Sequence, residues 1–384
     1  MHLQSQKTSF LYKWKDFNFF QLSILVFFFL LYGYFRIRYR WTHPLQGDEI
    51  ITAQGLQLSF RSMLFDFIPR TDFHFPWAYV LLYPIGHYVS LKPLIVSLPY
   101  AAISAFFYYI FARINWIRLL DLYDQNFAFD PKWINVFSCG LVARHETLIM
   151  HALELRPYGT LTLLAVLALW LTSRLLEQKR FTWYFVAGFF ALIVFHNFGL
   201  MMILVSITYL LTIRFFSSAA NTLEELSHSL WSVGSTLLFS IIGTLPFIWW
   251  YCQYPTLRGH PFSSRDPHLY IQAGLKGLQQ VIALYFGLSH PDVKLFRLFL
   301  VLTMLCGIAL NLFRGIRKIF LFPLILVLLP TFLLYLWDLH IHYWFIQRQF
   351  LWVMPFYSVF VALMAHTVID WAISHFSKSQ NRLN

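Results

Sequence analysis

Long apolar runs separated by short polar breaks make up most of the chain. The first, residues 19–37, approaches the ~20 residues that a bilayer-spanning helix needs. Similar runs cover 93–113, 131–148, 157–176, 180–196, 198–216, 229–251, 294–313, 319–337 and 345–372. The stretch 76–90 is also apolar, but it is short for a crossing and holds Pro84. Residues 50–73 follow a different pattern, with Leu56, Phe60, Met63, Leu64 and Phe67 at roughly helical spacing among polar residues. That pattern predicts an amphipathic segment lying along a membrane surface. The expected fold is therefore all-α and polytopic, a bundle of about 10–11 transmembrane helices. Residues 1–384 read as one integral-membrane domain, with a membrane core at 19–372 and external loops at 38–75 and 252–290.

Composition agrees with this pattern. Hydrophobic residues make up 58% of the chain and charged ones 12%, against roughly a quarter charged in soluble chains. The net charge of +12 comes with no aromatic-basic module, so it points to loops at an anionic membrane face and not to nucleic acid. Cys139, Cys252 and Cys306 have neither metal spacing nor a disulfide framework. No small-residue cleavage site follows the first run, which is expected to stay as an uncleaved anchor.

Charge bias gives an expected orientation. Lys7, Lys13 and Lys15 precede the first run and place the N-terminus in the cytoplasm. Arg174, Lys179 and Arg180 form one short basic loop, and Arg314, Arg317 and Lys318 another. With both cytoplasmic, the segments at 149–157, 252–290 and 338–345 share the outer side with Asp48. Parity then closes only if 76–90 does not cross; the alternative is that it crosses and one other apolar run is not a span.

Candidate chemistry gathers on that outer side. Asp48 and Glu49 follow Pro44 and Gly47 just past the first span. Glu154, Arg156 and Tyr158 stand before another span, with Pro157 suited to a first helical turn. His260, Arg265, Asp266 and His268 share a polar loop, and His340, His342 and Arg348 stand at the mouth of the last span. His196 reads as a polar break between two spans. A snorkelling arginine at an interface is the ordinary reading of any one of these groups; their convergence suggests more. Arginine forks hold phosphate, and a carboxylate can take the proton of an attacking hydroxyl. Together they suit transfer of a sugar from a lipid phosphate to an alcohol.

At this point a resemblance enters. Gly47-Asp48-Glu49, His74-Phe75-Pro76-Trp77-Ala78-Tyr79, Leu153-Glu154-Leu155-Arg156-Pro157-Tyr158, and Arg348-Gln349-Phe350-Leu351 with Pro355 occur in that order. The chain thereby resembles the GT-C glycosyltransferases of the protein-mannosyltransferase and aminoarabinose-transferase type, in the branch that includes rhizobial galacturonosyltransferases. Phe75 departs from the family's proline pair, and no soluble C-terminal domain follows. The resemblance implies an inverting transferase in a bacterial inner membrane, using a polyprenyl-phosphate sugar donor. Its acceptor would be a lipid, a glycan or a protein. Asp48 would be the base, and Glu49 would orient the acceptor or hold a divalent cation. Arg156, Tyr158 and Arg348 would bind the donor phosphate, with His74 and Arg265 as further candidates.

Two other classes compete. A secondary transporter places its polar groups near the bilayer midplane on broken helices, whereas the acids here sit at an edge. A non-catalytic membrane scaffold would read much the same, and loss of activity on altering Asp48 separates it from an enzyme.

Overall fold

The computed structural model describes residues 10–71, 76–122, 125, 127–178, 181–196, 198–217, 223–252, 285, 294–341 and 347–383. The described residues form helices and no strand, and the protein is an all-α, multi-pass membrane protein. Its principal helices are α1 (Phe19–Thr42), α2 (Asp48–Leu56), α3 (Trp77–Tyr88), α4 (Leu98–Phe111), α5 (Trp133–Arg144), α6 (Glu146–His151) and α7 (Leu161–Gln178). They continue with α8 (Trp183–Phe195), α9 (Gly199–Ser217), α10 (Leu223–Cys252), α11 (Lys294–Phe313), α12 (Leu329–Ile341) and α13 (Met354–Leu383).

Among the described residues, six segments are long and apolar enough to cross a bilayer: Phe19–Thr42, Tyr158–Gln178, Gly199–Phe216, Leu230–Phe247, Arg317–Leu336 and Met354–Ser377. Leu98–Phe111, Trp183–Phe195 and Leu298–Phe313 are apolar but shorter. Helix α1 shows how the sequence sets such an element. Asn18 accepts from the Gln21 N–H at 2.8 Å while Gln21 accepts from the Asn18 N–H at 3.1 Å, which satisfies two donors that the first turn cannot. The helix then runs for 24 residues, about 36 Å, and ends at Thr42. The arginines at its far end therefore belong to the helix, not to the loop expected from residue 38.

The bundle has two polar ends. At one end the Gln21 amide donates to Asp130, Asp370 accepts from the Ala128 and Phe129 N–H groups, and Arg314 pairs with Asp370. Arg118 pairs with Glu177, and Lys318 with Asp121, at the same end. The basic residues Arg174, Arg314 and Lys318 thus share an end with the start of α1, the arrangement that charge bias requires. Asp48 lies at the other end. Helix α3, with 12 residues or about 18 Å, stays there. Its Tyr79 hydroxyl faces Arg156, and its His87 Nδ1 lies 2.9 Å from the Leu56 carbonyl.

Helix α7 is buried on nearly every side and packs against α4, α8, α9 and α10, while α5 packs on α1 and α13. A helix apolar all round belongs in the middle of such a bundle. A second, smaller apolar core lies at the Asp48 end, formed by Leu56, Met63, Ile68, Tyr79, Leu82, Tyr83, Val96, Tyr100, Leu153 and Leu155. The amphipathic spacing of residues 50–73 supplies Leu56, Met63 and Ile68 to this core. It also leaves Phe60 and Phe65 exposed.

Candidate functional site at the Asp48 end

The site begins where α1 stops. Pro44 follows the last turn of α1, and Gly47 turns the chain with φ +48°, a backbone region costly for residues with a Cβ. Helix α2 starts at once, so Asp48 and Glu49 fall in its first turn, where carboxylates complement the unpaired N–H groups and the helix dipole.

The two neighbours have different surroundings. Glu49 is buried, at 5% exposure. Arg40 of α1 grips it with two nitrogens, Nη2 to Oε1 at 2.8 Å and Nη1 to Oε2 at 3.1 Å. The Leu155 N–H donates to Oε1 at 2.8 Å and the Gln46 N–H to Oε2 at 3.2 Å. One carboxylate therefore joins α1, the 43–47 loop and the segment before α7. Asp48 is the accessible member, its side chain 36% exposed, and its Oδ2 lies 3.4 Å from Arg156 Nη2.

Arg156 is placed by its own segment. It is extended (φ −136°, ψ 160°) and leads into the turn Pro157–Thr160, where Pro157 has no N–H to lose. Gly159 allows that turn to close on the preceding one, because a Cβ there would meet the Ala152 carbonyl oxygen at 2.5 Å. The guanidinium is buried, with Nη1 3.5 Å from the Tyr79 hydroxyl and Nη2 toward Asp48. The bond from Leu155 to Glu49 fixes the residue next to it. The buried carboxylate thus positions the accessible pair.

Tyr158 is buried beneath this pair, and its ring lies 6.0 Å from that of His196, which in turn stacks on Phe198. His196 accepts from the Phe198 N–H at 3.1 Å, so the polar break between α8 and α9 is also a buried wall beside Tyr158. Near the rim, His151 Nδ1 and Glu154 Oε2 are 2.8 Å apart. The turn Gln347–Phe350 packs against α6, bringing the backbone of residue 348 to the same end. The Arg348 side chain lies outside the described residues, as do His74, Arg265, His260, Asp266, His268 and His342.

Asp48 and Arg156, about a hundred positions apart in sequence, come together here, with Glu49 behind them and Tyr158 below. Arg40, Tyr79 and His196 are contributors that the sequence reading did not assign to the site. The spacing of Arg36 and Arg40 held a usable signal, since residues four apart share a helix face. Among the described residues, no group of three or more His, Cys, Asp or Glu gathers as a metal site. Chemically, the arrangement offers an accessible carboxylate beside a recessed guanidinium at the rim of an apolar bundle. No family model matches the chain, and no curated protein or solved structure does either.

Proposed function

We propose that the protein is an inverting membrane glycosyltransferase. It would take a sugar from a polyprenyl-phosphate-linked donor and pass it to an acceptor hydroxyl. The observation that carries this reading is the Asp48–Arg156 pair, an open carboxylate 3.4 Å from a buried guanidinium at one end of the bundle. Donor phosphate takes the Arg156 fork, supported by Tyr158 and Arg348, while the polyprenyl tail runs among lipid-facing helices. In the step itself, the acceptor oxygen bonds to the anomeric carbon as the bond from that carbon to the phosphate oxygen breaks. The bonding pair leaves with the phosphate, and the hydroxyl proton passes to Asp48. Attack opposite the leaving phosphate inverts the anomeric centre.

The ion pair has a use in this scheme. Phosphate arriving at Arg156 competes with Asp48 for the same guanidinium, so donor binding frees the carboxylate to accept a proton. Glu49, held by Arg40 and two backbone N–H groups, acts as a positioning residue. With the N-terminus in the cytoplasm, the Asp48 end faces the outer side of a bacterial inner membrane. Lipid, glycan and protein acceptors all remain compatible with an exposed Asp48.

The test is mass analysis of membrane glycolipids and glycans from cells with the wild-type protein, with Asp48→Asn at equal expression, and with neither. The reading expects a glycosylated product only with the wild type. A product that persists with Asp48→Asn, or no difference among the three, defeats it and favours a transporter or a scaffold.

A further inference from the structure

Five carboxamide side chains are buried among the described residues. Gln21, Asn115, Asn135 and Asn311 each hold at least one hydrogen bond within the protein. Gln349 is the exception. It is 0% exposed, and neither its amide nitrogen nor its amide oxygen has a partner. Three positions on, the Trp352 indole N–H is also buried without an acceptor.

Buried polar groups left unbonded are rare in native proteins, because each forfeits what water supplied. An ordered water is the usual remedy. It is excluded here, since Gln349 has no surface that a water molecule can touch, from outside or from a cavity. In this arrangement the amide bonds to nothing, and an apolar side chain of the same size would be more stable. Positions that break a local rule in this way are expected at sites that bind or move.

The surroundings say which site. Gln349 belongs to the turn Gln347–Phe350, next to Arg348 in sequence and packed on α6 at the Asp48 end. Leu351 shares a small cavity with Tyr158 and Gly159, the turn that follows Arg156. The Trp352 ring lies 6.5 Å from that of Phe198, which stacks on His196 beside Tyr158. The unbonded segment thus adjoins the wall beneath the Asp48–Arg156 pair. Its tight turn is less well bonded than an α-helix, so it rearranges at low cost. The partners it lacks are acceptors for N–H groups and a donor for the amide carbonyl. A phosphate joined to a sugar offers both.

We propose that the Gln347–Phe350 turn shifts when the lipid-phosphate sugar donor binds and carries the Gln349 amide onto it. The amide N–H then donates to a phosphate oxygen, and the carbonyl accepts from a hydroxyl of the attached sugar. This inference rests on the transferase reading. Gln349 is a donor-binding residue that the fold holds back, and the backbone of Arg348 moves with it.

Thermal unfolding of the purified full-length chain tests it, with a polyprenyl phosphate and with the same chain as the free alcohol for control. Gln349→Met keeps the length of the side chain and removes its polar atoms. Without polyprenyl phosphate it should unfold roughly 2–4 °C above the wild type. It should also need about tenfold more polyprenyl phosphate for the stabilisation that the wild type gains. A variant no more stable than the wild type would mean that the amide has a partner in the protein. A stabilised variant with an undiminished response would mean that Gln349 does not meet the donor. Either result overturns the inference and leaves the transferase reading standing. A wild type that ignores polyprenyl phosphate defeats that reading and this inference with it. Should the variant not fold, hydrogen exchange of the wild type decides. Exchange at residues 347–353 should change when polyprenyl phosphate binds, and binding without such a change overturns the shift.

Discussion

Arg40 of α1 and Glu49 of α2 form a two-pronged ion pair that is almost fully buried, at 2.8 and 3.1 Å, with side chains 4% and 6% exposed. Breaking such a pair on one side leaves an unmatched buried charge, which costs about 3–5 kcal/mol. Glu49→Gln should therefore lower the unfolding temperature markedly. Replacing both partners at once, Arg40→Met with Glu49→Leu, should recover much of the loss, because no lone charge remains. Thermal unfolding of the three variants checks this; equal damage from the single and double changes would mean that the pair is not coupled.

Asp48 should behave in the opposite way to its neighbour. Its side chain is 36% exposed and its contact with the buried Arg156 is long, and the amide oxygen of Asn keeps an acceptor beside that guanidinium. Asp48→Asn should therefore lower the unfolding temperature by less than Glu49→Gln, whose buried pair is worth about 3–5 kcal/mol when broken. Under the proposed mechanism it should nonetheless lose at least about a hundredfold in transfer rate, since general bases contribute typically 10²–10⁴-fold. A variant that keeps most of its activity would remove Asp48 from the role of base.

Arg156 invites a test of shape rather than of charge. A guanidinium offers a planar fork to two phosphate oxygens, and an ammonium offers a point charge. Arg156→Lys should weaken donor use about tenfold to a hundredfold, the worth of a hydrogen bond to a charged group at roughly 1.5–3 kcal/mol. An arginine that merely anchors the chain to lipid headgroups would tolerate lysine. Kinetics at varied donor concentration separate the two.

The class of the protein was legible in its sequence because bilayer thickness sets a length that apolar runs must meet, as the run opening at Phe19 does. The end of α1 was not. Arg38 and Arg40, beyond the apolar run, look like a loop to a hydropathy reading, yet the helix continues through them and buries Arg40 one turn after Arg36. That error hid the partner of Glu49, since Arg40 reaches it only if residues 38–42 stay helical. Asp48 and Glu49 are adjacent and chemically alike, so no pattern in the sequence could tell the held carboxylate from the accessible one. The difference arises in the first turn of α2, which aims one side chain inward and the other toward the rim.

At the opposite end, Asp130 predicts a pH dependence. Burial pushes its carboxyl up, but the Lys132 N–H, the Gln21 amide and the Lys132 ammonium outweigh that and hold it below the usual carboxylate range. A folded pKa below the unfolded value of about 3.9 gives a contribution that is complete above that pH and is lost as pH falls through the folded value. The wild type should therefore exceed Asp130→Asn in unfolding temperature at neutral pH, and the gap should close in acid below about pH 4. A gap that is constant with pH would show that the carboxylate charge is not what ties α1 to the start of α5.

The arrangement of the two ends leads to a prediction about sidedness. Gln57, just after α2, is exposed at the Asp48 end, and Arg317 is exposed at the end shared with the start of α1. A membrane between them should separate the two completely. Cys252, the buried Cys139 and the exposed Cys306 would first be replaced, Cys139 by alanine to avoid burying a new polar group. Single cysteines would then be placed at Gln57 or Arg317. In intact cells, an impermeant thiol reagent should label the position at 57 and not that at 317, and both should react once the membrane is opened. The orientation follows from the excess of lysine and arginine near the start of α1 and in the loop at 314–318, the kind of bias that keeps loops in the cytoplasm. Labelling at 317 alone would invert the protein and put the Asp48 site in the cytoplasm. Labelling at both from outside would mean that the two ends are not on opposite sides of a membrane.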